Sequence, residues 1–164
     1  DISEMEKMLN EYLQFTSSSQ SEKNEIFDLS KLLNETIERY ENTYITRDLA
    51  QNILINGRKN LLKRSFNNII DNGLKYGKKL NVQLNKNGKN IFILIEDNGP
   101  GIPKEEYENV FKPFYKMDKG RGETKSSVGL GLSIASDIIR SHGGYIKLNK
   151  SSMNGLGVKI FLPA

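Results

Sequence analysis

Ile91-Phe92-Ile93-Leu94-Ile95-Glu96-Asp97-Asn98-Gly99-Pro100-Gly101-Ile102 is the stretch that decides the fold. Its apolar opening, rich in β-branched isoleucine, reads as a buried strand and falls far short of the ~20 residues that a bilayer span needs. The strand then stops in a carboxylate and a turn. Asp-Asn-Gly alone is ordinary turn chemistry. Two glycines around a proline, however, let the backbone approach a ligand closely, and a carboxylate at a buried strand end is ready to accept a hydrogen bond.

The flanking segments supply the rest of a layered fold. Residues 80–84 form a second strand, joined to 91–96 by Asn85-Lys86-Asn87-Gly88, a hairpin turn. Ahead of it, Gly57 precedes a helical pattern that runs to Gly77, a residue suited to ending a helix. Further upstream, Asp28 or Ser30 can cap a helix through about Tyr40. Tyr44-Ile45-Thr46 and Gln51-Asn52-Ile53-Leu54-Ile55 read as short strands. Downstream come a short helix near 104–110, a polar, glycine-bearing stretch over 112–128 and a helix from about Gly129 to His142-Gly143-Gly144. Two strands, 145–148 and 157–161, close the domain. Strands interleaved with helices, a hairpin among them, predict an α/β (α+β) two-layer sandwich: a mixed β-sheet covered on one face by helices.

The first segment carries Ile2, Met5, Leu9 and Tyr12 at alternating three- and four-residue steps, the a/d seam of a helix that packs on a partner helix. The polar, aperiodic run from Thr16 through Ser17-Ser18-Ser19-Gln20-Ser21 to Glu25 reads as a linker. The expected division is a helix over 1–16, a linker over 17–25 and one domain over 26–164.

Composition agrees. The 164 residues are 37% hydrophobic and 27% charged, which suits a single core under a solvated surface. The chain has no cysteine and one histidine, so a disulfide framework, a thiolate zinc site, a catalytic thiol and a multi-histidine metal centre are excluded. A net charge of +4 is too diffuse to demand nucleic acid, and none is expected as a partner. The chain opens at Asp1 without a signal-peptide pattern, and we expect a piece of a longer protein, working in a reducing cytoplasm.

Three features carry chemistry. At about 100° per residue, Leu62, Phe66, Ile69, Ile70, Gly73 and Leu74 of the long helix share one arc, and Arg64, Asn68, Asn72, Lys75 and Tyr76 share the other. Two carboxamides, a lysine and a tyrosine on that polar arc can offer amide oxygens to a hard cation, an ammonium to phosphate and a ring to a base. The second feature is the Asp97–Ile102 turn itself. The third is Val128-Gly129-Leu130-Gly131-Leu132-Ser133 at a helix start, where free N–H groups and the helix dipole favour phosphate. This segment lacks the Gly-Lys-Ser/Thr of a P-loop, and no strand leads directly into it.

Taken in order, Asn68-x-x-x-Asn72-x-x-Lys75-Tyr76-Gly77, Asp97-x-Gly99-x-Gly101-Ile102, Phe111-x-Pro113-Phe114 and Gly129-Leu130-Gly131-Leu132 resemble the N, G1, F and G2 boxes of EnvZ-like sensor histidine kinases. Those kinases share a Bergerat-type ATP-binding sandwich with gyrase, Hsp90 and MutL proteins. The resemblance spans roughly residues 29–163. It implies the ATP-binding catalytic domain of a two-component sensor, cytoplasmic and part of a bacterial inner-membrane protein. The first helix then resembles the end of a dimerisation helix pair. Implied partners are ATP or ADP, the dimerisation and phosphoacceptor domain of the same protein, a second copy in a homodimer, and a cognate response regulator.

By the same resemblance, Asn72 ligates Mg²⁺ while Asn68 and Lys75 reach phosphates. Asp97 accepts the exocyclic amine of adenine, beside Gly99 and Gly101, and Tyr76 and Ile102 pack near the base. Residues 112–128 form the ATP lid, whose Lys112, Lys116, Lys119, Arg121 and Lys125 outnumber Asp118 and Glu123. Lys116 is the candidate γ-phosphate contact, with Asn68 the second catalytic residue. Phe114, Ser127, Val128, Gly129, Leu130, Gly131 and Leu132 complete the expected nucleotide site.

ATP-hydrolysing clamps of the gyrase class carry a glutamate four residues before the magnesium asparagine. Here that position is Asn68, and a carboxamide cannot take water's proton. Phosphoryl transfer is therefore expected over hydrolysis. A clamp of that class, or a degenerate nucleotide-sensing or docking domain marked by Ser127, is the alternative. His142, in Ser141-His142-Gly143-Gly144, reads as a helix end rather than as a phosphoacceptor.

Overall fold

The computed structural model describes residues 2–19, 21–115 and 130–164. In chain order these form α1 (Ile2–Ser19), β1 (Glu25–Asp28), α2 (Leu29–Glu38), β2 (Tyr44–Leu49), β3 (Leu54–Gly57), α3 (Lys59–Tyr76), β4 (Lys79–Asn87) and β5 (Asn90–Asp97). Two 3-10 turns, Lys104–Glu106 and Asn109–Phe111, precede α4 (Gly131–Ser141), β6 (Tyr145–Lys150) and β7 (Leu156–Pro163).

The main sheet is mixed, in the order β2-β4-β5-β7-β6, with β2 parallel to β4 and the other neighbours antiparallel. The strand that ends in Asp97 is thus central. Period-2 alternation sends Leu80, Val82 and Leu84, then Ile91, Ile93 and Ile95, then Val158, Ile160 and Leu162 to one buried face. Register stacks them in rows, with Val82 opposite Ile95 and Ile95 opposite Val158. Onto this face pack Leu62, Phe66, Ile69 and Ile70 of α3 with Ile134, Ile138 and Ile139 of α4, all in one buried core. The two-layer sandwich read from the sequence is the observed fold.

Local chemistry sets the element ends. Asp28 caps α2, its Oδ1 accepting the N–H groups of Ser30 at 2.9 Å and Lys31 at 3.4 Å. Gly77 ends α3, and the buried Gly73 lies where a Cβ would press on the Leu80 side chain at 3.2 Å. Glycine in place of alanine there lets α3 lie close on β4. Tyr40 ties the end of α2 to α3, donating to Asp71 at 2.8 Å. Burial first, and the Asp71 carboxylate second, push this phenol well above its ordinary pKa.

Several expectations are revised. Asn52 adopts a left-handed conformation at φ 58°, which breaks the expected strand over 51–55, so that β3 starts only at Leu54. β3 pairs antiparallel with β1, a four-residue strand that the sequence did not reveal. The short helix near 104–110 is two 3-10 turns, closed by i to i+3 bonds such as Tyr107 N–H to the Lys104 carbonyl at 3.1 Å. Finally, α1 continues to Ser19, and two of its faces are apolar. Met8 and Phe15 are 7% exposed, with Arg64 lying over the Phe15 ring at 5.7 Å, whereas Ile2, Met5, Leu9 and Tyr12 are 78%, 57%, 51% and 36% exposed. The a/d seam faces outward, and the helix rests on its own domain through the flank beside it.

Candidate functional site

The polar arc of α3 ends against the Asp97 turn. Asp97 follows Ile93 and Ile95 on the helix-covered face of β5, opposite Leu80 in register, and is 6% exposed. Its Oδ1 accepts two backbone N–H groups, from Gly99 at 2.8 Å and Leu156 at 3.1 Å. Two such bonds hold the carboxylate in one rotamer. The neighbouring Asn98 takes no part in that grip. Its Oδ1 accepts from Lys78 N–H at 2.8 Å and Lys79 N–H at 2.9 Å, fastening the turn to the α3–β4 connection.

Glycine is required here by packing. A Cβ on Gly99 would lie 2.7 Å from the Tyr76 carbonyl oxygen, and one on Gly77 would meet Gly99 N at 3.0 Å and the Asp97 Cβ at 3.1 Å. The end of α3 and the turn after β5 therefore touch backbone to backbone. Gly101, at φ 72°, occupies the left-handed region that other residues enter at a cost. Close approach of the chain to itself thus accounts for the glycines at 77 and 99.

At the other end of the arc, the Asn68 Nδ2 donates to the Gly131 carbonyl at 3.3 Å, joining α3 to the first residue of α4. Leu130, 2% exposed, anchors the helix start, and among the described residues no side chain caps α4. Its first N–H groups carry the positive end of the helix dipole. A Cβ on Gly131 would meet nothing within 4 Å among the described residues. Asn68, Asn72 and Tyr76 lie four residues apart on α3, which at 1.5 Å per residue leads roughly 12 Å from the α4 start to the Asp97 turn. Asn72 and Tyr76 are half-buried along the way, while Lys75 is exposed with its ammonium 5.7 Å from the Tyr76 ring.

Of the residues singled out in the sequence, Asn68, Asn72, Tyr76, Asp97, Gly99, Leu130 and Gly131 are thus linked along one path. Ile102 packs on the core beside it. Phe114 is 41% exposed and left-handed at φ 62°. Lys116, Ser127, Val128 and Gly129 lie outside the described residues, as does most of the expected lid. Sequence reasoning missed Gly155 and Leu156. Their only signal is the turn-like Asn154-Gly155 pair, which by itself marks no more than the approach to a strand.

His142 is confirmed as a helix end. It is the C-cap of α4, with Nδ1 2.8 Å from the Ile138 carbonyl and Nε2 accepting the Arg58 N–H at 3.0 Å. A carbonyl only accepts, so Nδ1 carries the proton and the ring is neutral. Burial, and then the nearby Arg58 charge, lower its pKa against the opposing pull of the Ile138 carbonyl and Glu22.

Comparison with known proteins agrees with this geometry. The family model for histidine kinase-, DNA gyrase B-, and HSP90-like ATPases matches residues 57–164. The chain is 36% identical over 108 residues to the sensor histidine kinase CpxA of Escherichia coli (strain K12), covering 65% of this chain and 24% of that protein. It is 31% identical over 172 residues to the sensor protein kinase WalK of Staphylococcus epidermidis, covering 99% of this chain and 27% of that one. The chain therefore spans only about a quarter of these curated relatives. The solved histidine kinase domain of the E. coli osmosensor EnvZ matches with a TM-score of 0.66 and 30% identity, over 85% of this chain and 88% of that one. The chain belongs to the histidine kinase-, DNA gyrase B- and HSP90-like ATPase family, and is homologous to the ATP-binding catalytic domains of sensor histidine kinases.

Proposed function

We propose that this domain binds Mg²⁺-ATP along the polar face of α3 and holds the γ-phosphoryl group for transfer to a histidine on a dimerisation domain of the same protein. One observation carries the reading: a carboxylate locked by two backbone N–H groups stands at one end of that face, and the start of α4, bonded to Asn68, stands at the other. Asp97 accepts the exocyclic amine of adenine. Guanine would turn an oxygen toward it, a mismatch of about 1–3 kcal/mol. Tyr76 and Ile102 flank the base, while Gly99 and Gly101 bring the backbone to its edge.

Toward the phosphates, Asn68 and Lys75 supply donors, and the N–H groups at Leu130, Gly131 and Leu132 face the anion. Lys116 contacts the γ-phosphate, with Phe114, Ser127, Val128 and Gly129 enclosing the chain. Asn72 offers one neutral amide oxygen to the metal, and among the described residues no cluster of three or more His, Cys, Asp or Glu could hold an ion alone. That donor set suits Mg²⁺, which fills most of its octahedral shell with water and phosphate oxygens. When bound, the ion neutralises charge on the transferring phosphate. Asn68, whose amide donates to Gly131, has no basic atom with which to activate water, and this favours transfer over hydrolysis.

The exposed seam of α1 fits the end of a dimerisation helix, joined by a short connection to the catalytic domain that begins with β1. In the whole protein we place the domain on the cytoplasmic side of a bacterial inner-membrane sensor, a homodimer that passes its phosphoryl group to a response regulator. No helix among the described residues is long and apolar enough to cross a membrane. Thermal shifts with ATP, ADP and GTP, with and without Mg²⁺, test the nucleotide assignment. Ligand at 100 times its Kd adds about 2.7 kcal/mol of stability. ATP and ADP should raise the Tm and GTP much less; equal shifts with GTP would overturn the role of Asp97.

A further inference from the structure

Two neighbouring carboxylates at the end of β5 grip one turn from opposite faces of the sheet. Asp97 is on the helix side and reaches the Leu156 N–H. Glu96, on the outer side, is 5% exposed because the β6–β7 turn covers it. Its Oε2 accepts the Ser152 N–H at 2.9 Å and its Oε1 accepts the Ser152 hydroxyl at 2.9 Å. The turn between these two grips is internally braced. Ser151 N–H donates to the Gly155 carbonyl at 2.9 Å, Met153 N–H to the Ser151 hydroxyl at 2.8 Å, and Asn154 N–H to the Ser151 carbonyl at 3.0 Å. Gly155 then passes so close under Asp97 that a Cβ there would collide with the Asp97 Oδ1 and main-chain oxygen.

A side chain this tightly surrounded has its orientation set by the turn. Asp97 can point correctly only while Gly155 and Leu156 stay where they are. They stay because Ser152, three residues ahead of Gly155, is clamped to Glu96, which neighbours Asp97 in the chain. The loop closes on itself through β5.

We infer that Glu96, Ser152 and Gly155 are positioning residues for recognition of the base: they fix the 151–156 turn, the turn fixes the Asp97 carboxylate, and none of the three touches the nucleotide. The inference rests on the reading that Asp97 accepts the adenine amine. Glu96 and Ser152 act from the face of the sheet opposite the helices, so their effect reaches the ligand only through the turn.

Calorimetry with ATP and with inosine triphosphate, which carries an oxygen in place of the amine, separates the two roles on the whole chain. The quantity read is the ratio of the two Kd values, alongside the Tm without ligand. The unaltered protein should prefer ATP. Glu96→Ala and Ser152→Ala should weaken ATP by about fivefold to tenfold, the size of one misdirected hydrogen bond, with a much smaller change for the inosine nucleotide, so that the ratio falls by the same factor. Glu96→Gln should keep the parent ratio, since its amide can still accept from the Ser152 N–H and donate to the Ser152 oxygen. Should Glu96→Ala fail to fold, Ser152→Ala, which loses one bond and keeps the carboxylate, decides the matter. A lowered Tm with an unchanged ratio in Ser152→Ala would make the clamp merely structural and overturn the inference alone. A ratio near one in the unaltered protein would overturn the reading of Asp97 and this inference with it.

Discussion

Protonation of His142 should loosen the joint between α3 and α4. In the neutral ring, Nδ1–H donates to the Ile138 carbonyl at 2.8 Å and Nε2 accepts the Arg58 N–H at 3.0 Å. A second proton on Nε2 would set two donors against each other and add a positive charge beside the Arg58 guanidinium, which Glu22 only partly offsets. Burial already lowers the folded-state pKa below the usual 6.5. The folded form therefore binds a proton less readily than the unfolded chain. The resulting stability is fully present above about pH 6.5 and is lost as pH falls through the lower, folded-state pKa. One hydrogen bond turned repulsive costs about 1–3 kcal/mol; because the ring is half-buried and water screens part of the charge, the lower end, about 1 kcal/mol, is the figure to expect. For a domain of this size that is a Tm decrease of roughly 2–4 °C. The assay is thermal unfolding from pH 8 to pH 5 of the unaltered protein and of His142→Gln, whose amide can still donate and accept but does not titrate. The difference between the two curves should change with pH by that amount, and an NMR titration should place the His142 midpoint below 6.5. Parallel curves, or a midpoint at or above 6.5, would refute the argument.

Other substitutions separate packing from binding. Gly99→Ala should destabilise the fold by about 1–3 kcal/mol, because its Cβ meets the Tyr76 carbonyl at 2.7 Å; denaturant melts without nucleotide measure it. Gly131→Ala, whose Cβ meets nothing within 4 Å among the described residues, should leave stability unchanged or slightly higher, so a loss of ATP affinity in calorimetry would report crowding of the ligand itself. Asp97→Asn should weaken ATP at least tenfold, and more than Lys119→Ala. Asn72→Ala should abolish the dependence of ATP binding on Mg²⁺, and a dependence that survived would remove Asn72 from the metal.

Much of the architecture was legible because α3 and β5 announce themselves locally. The apolar arc of α3 has an unbroken helical period, and Ile91–Ile95 is too apolar and too short to be anything but a central strand. The four-residue β1 was not legible, since Ile26 is 72% exposed and only Phe27 is buried, leaving no alternation to detect. The exposed seam of α1 was visible as a pattern, but Met8 and Phe15, seven residues apart on the adjoining flank, gave no sign that they would settle on the domain. At the site, side-chain chemistry was readable and backbone chemistry was not. Asp97, Asn68 and Asn72 stand out by type and spacing. The Leu156 N–H that holds Asp97 comes from 59 residues away and belongs to a residue whose side chain says nothing of it.

The central claim, that ATP is held for transfer and not for hydrolysis, is tested most directly with γ-labelled ATP. Incubated alone with Mg²⁺, the chain should release no appreciable phosphate and carry no label, because Asn68 offers no base and both nitrogens of its only histidine are engaged. Adding a separate dimerisation domain with an acceptor histidine should place the label on that partner alone, since bound Mg²⁺-ATP needs little beyond in-line positioning and charge stabilisation to transfer its phosphoryl group. Asn68→Ala and Asn72→Ala should each abolish the transfer. Rapid phosphate release by the isolated chain, or acid-labile label on His142, would contradict the account.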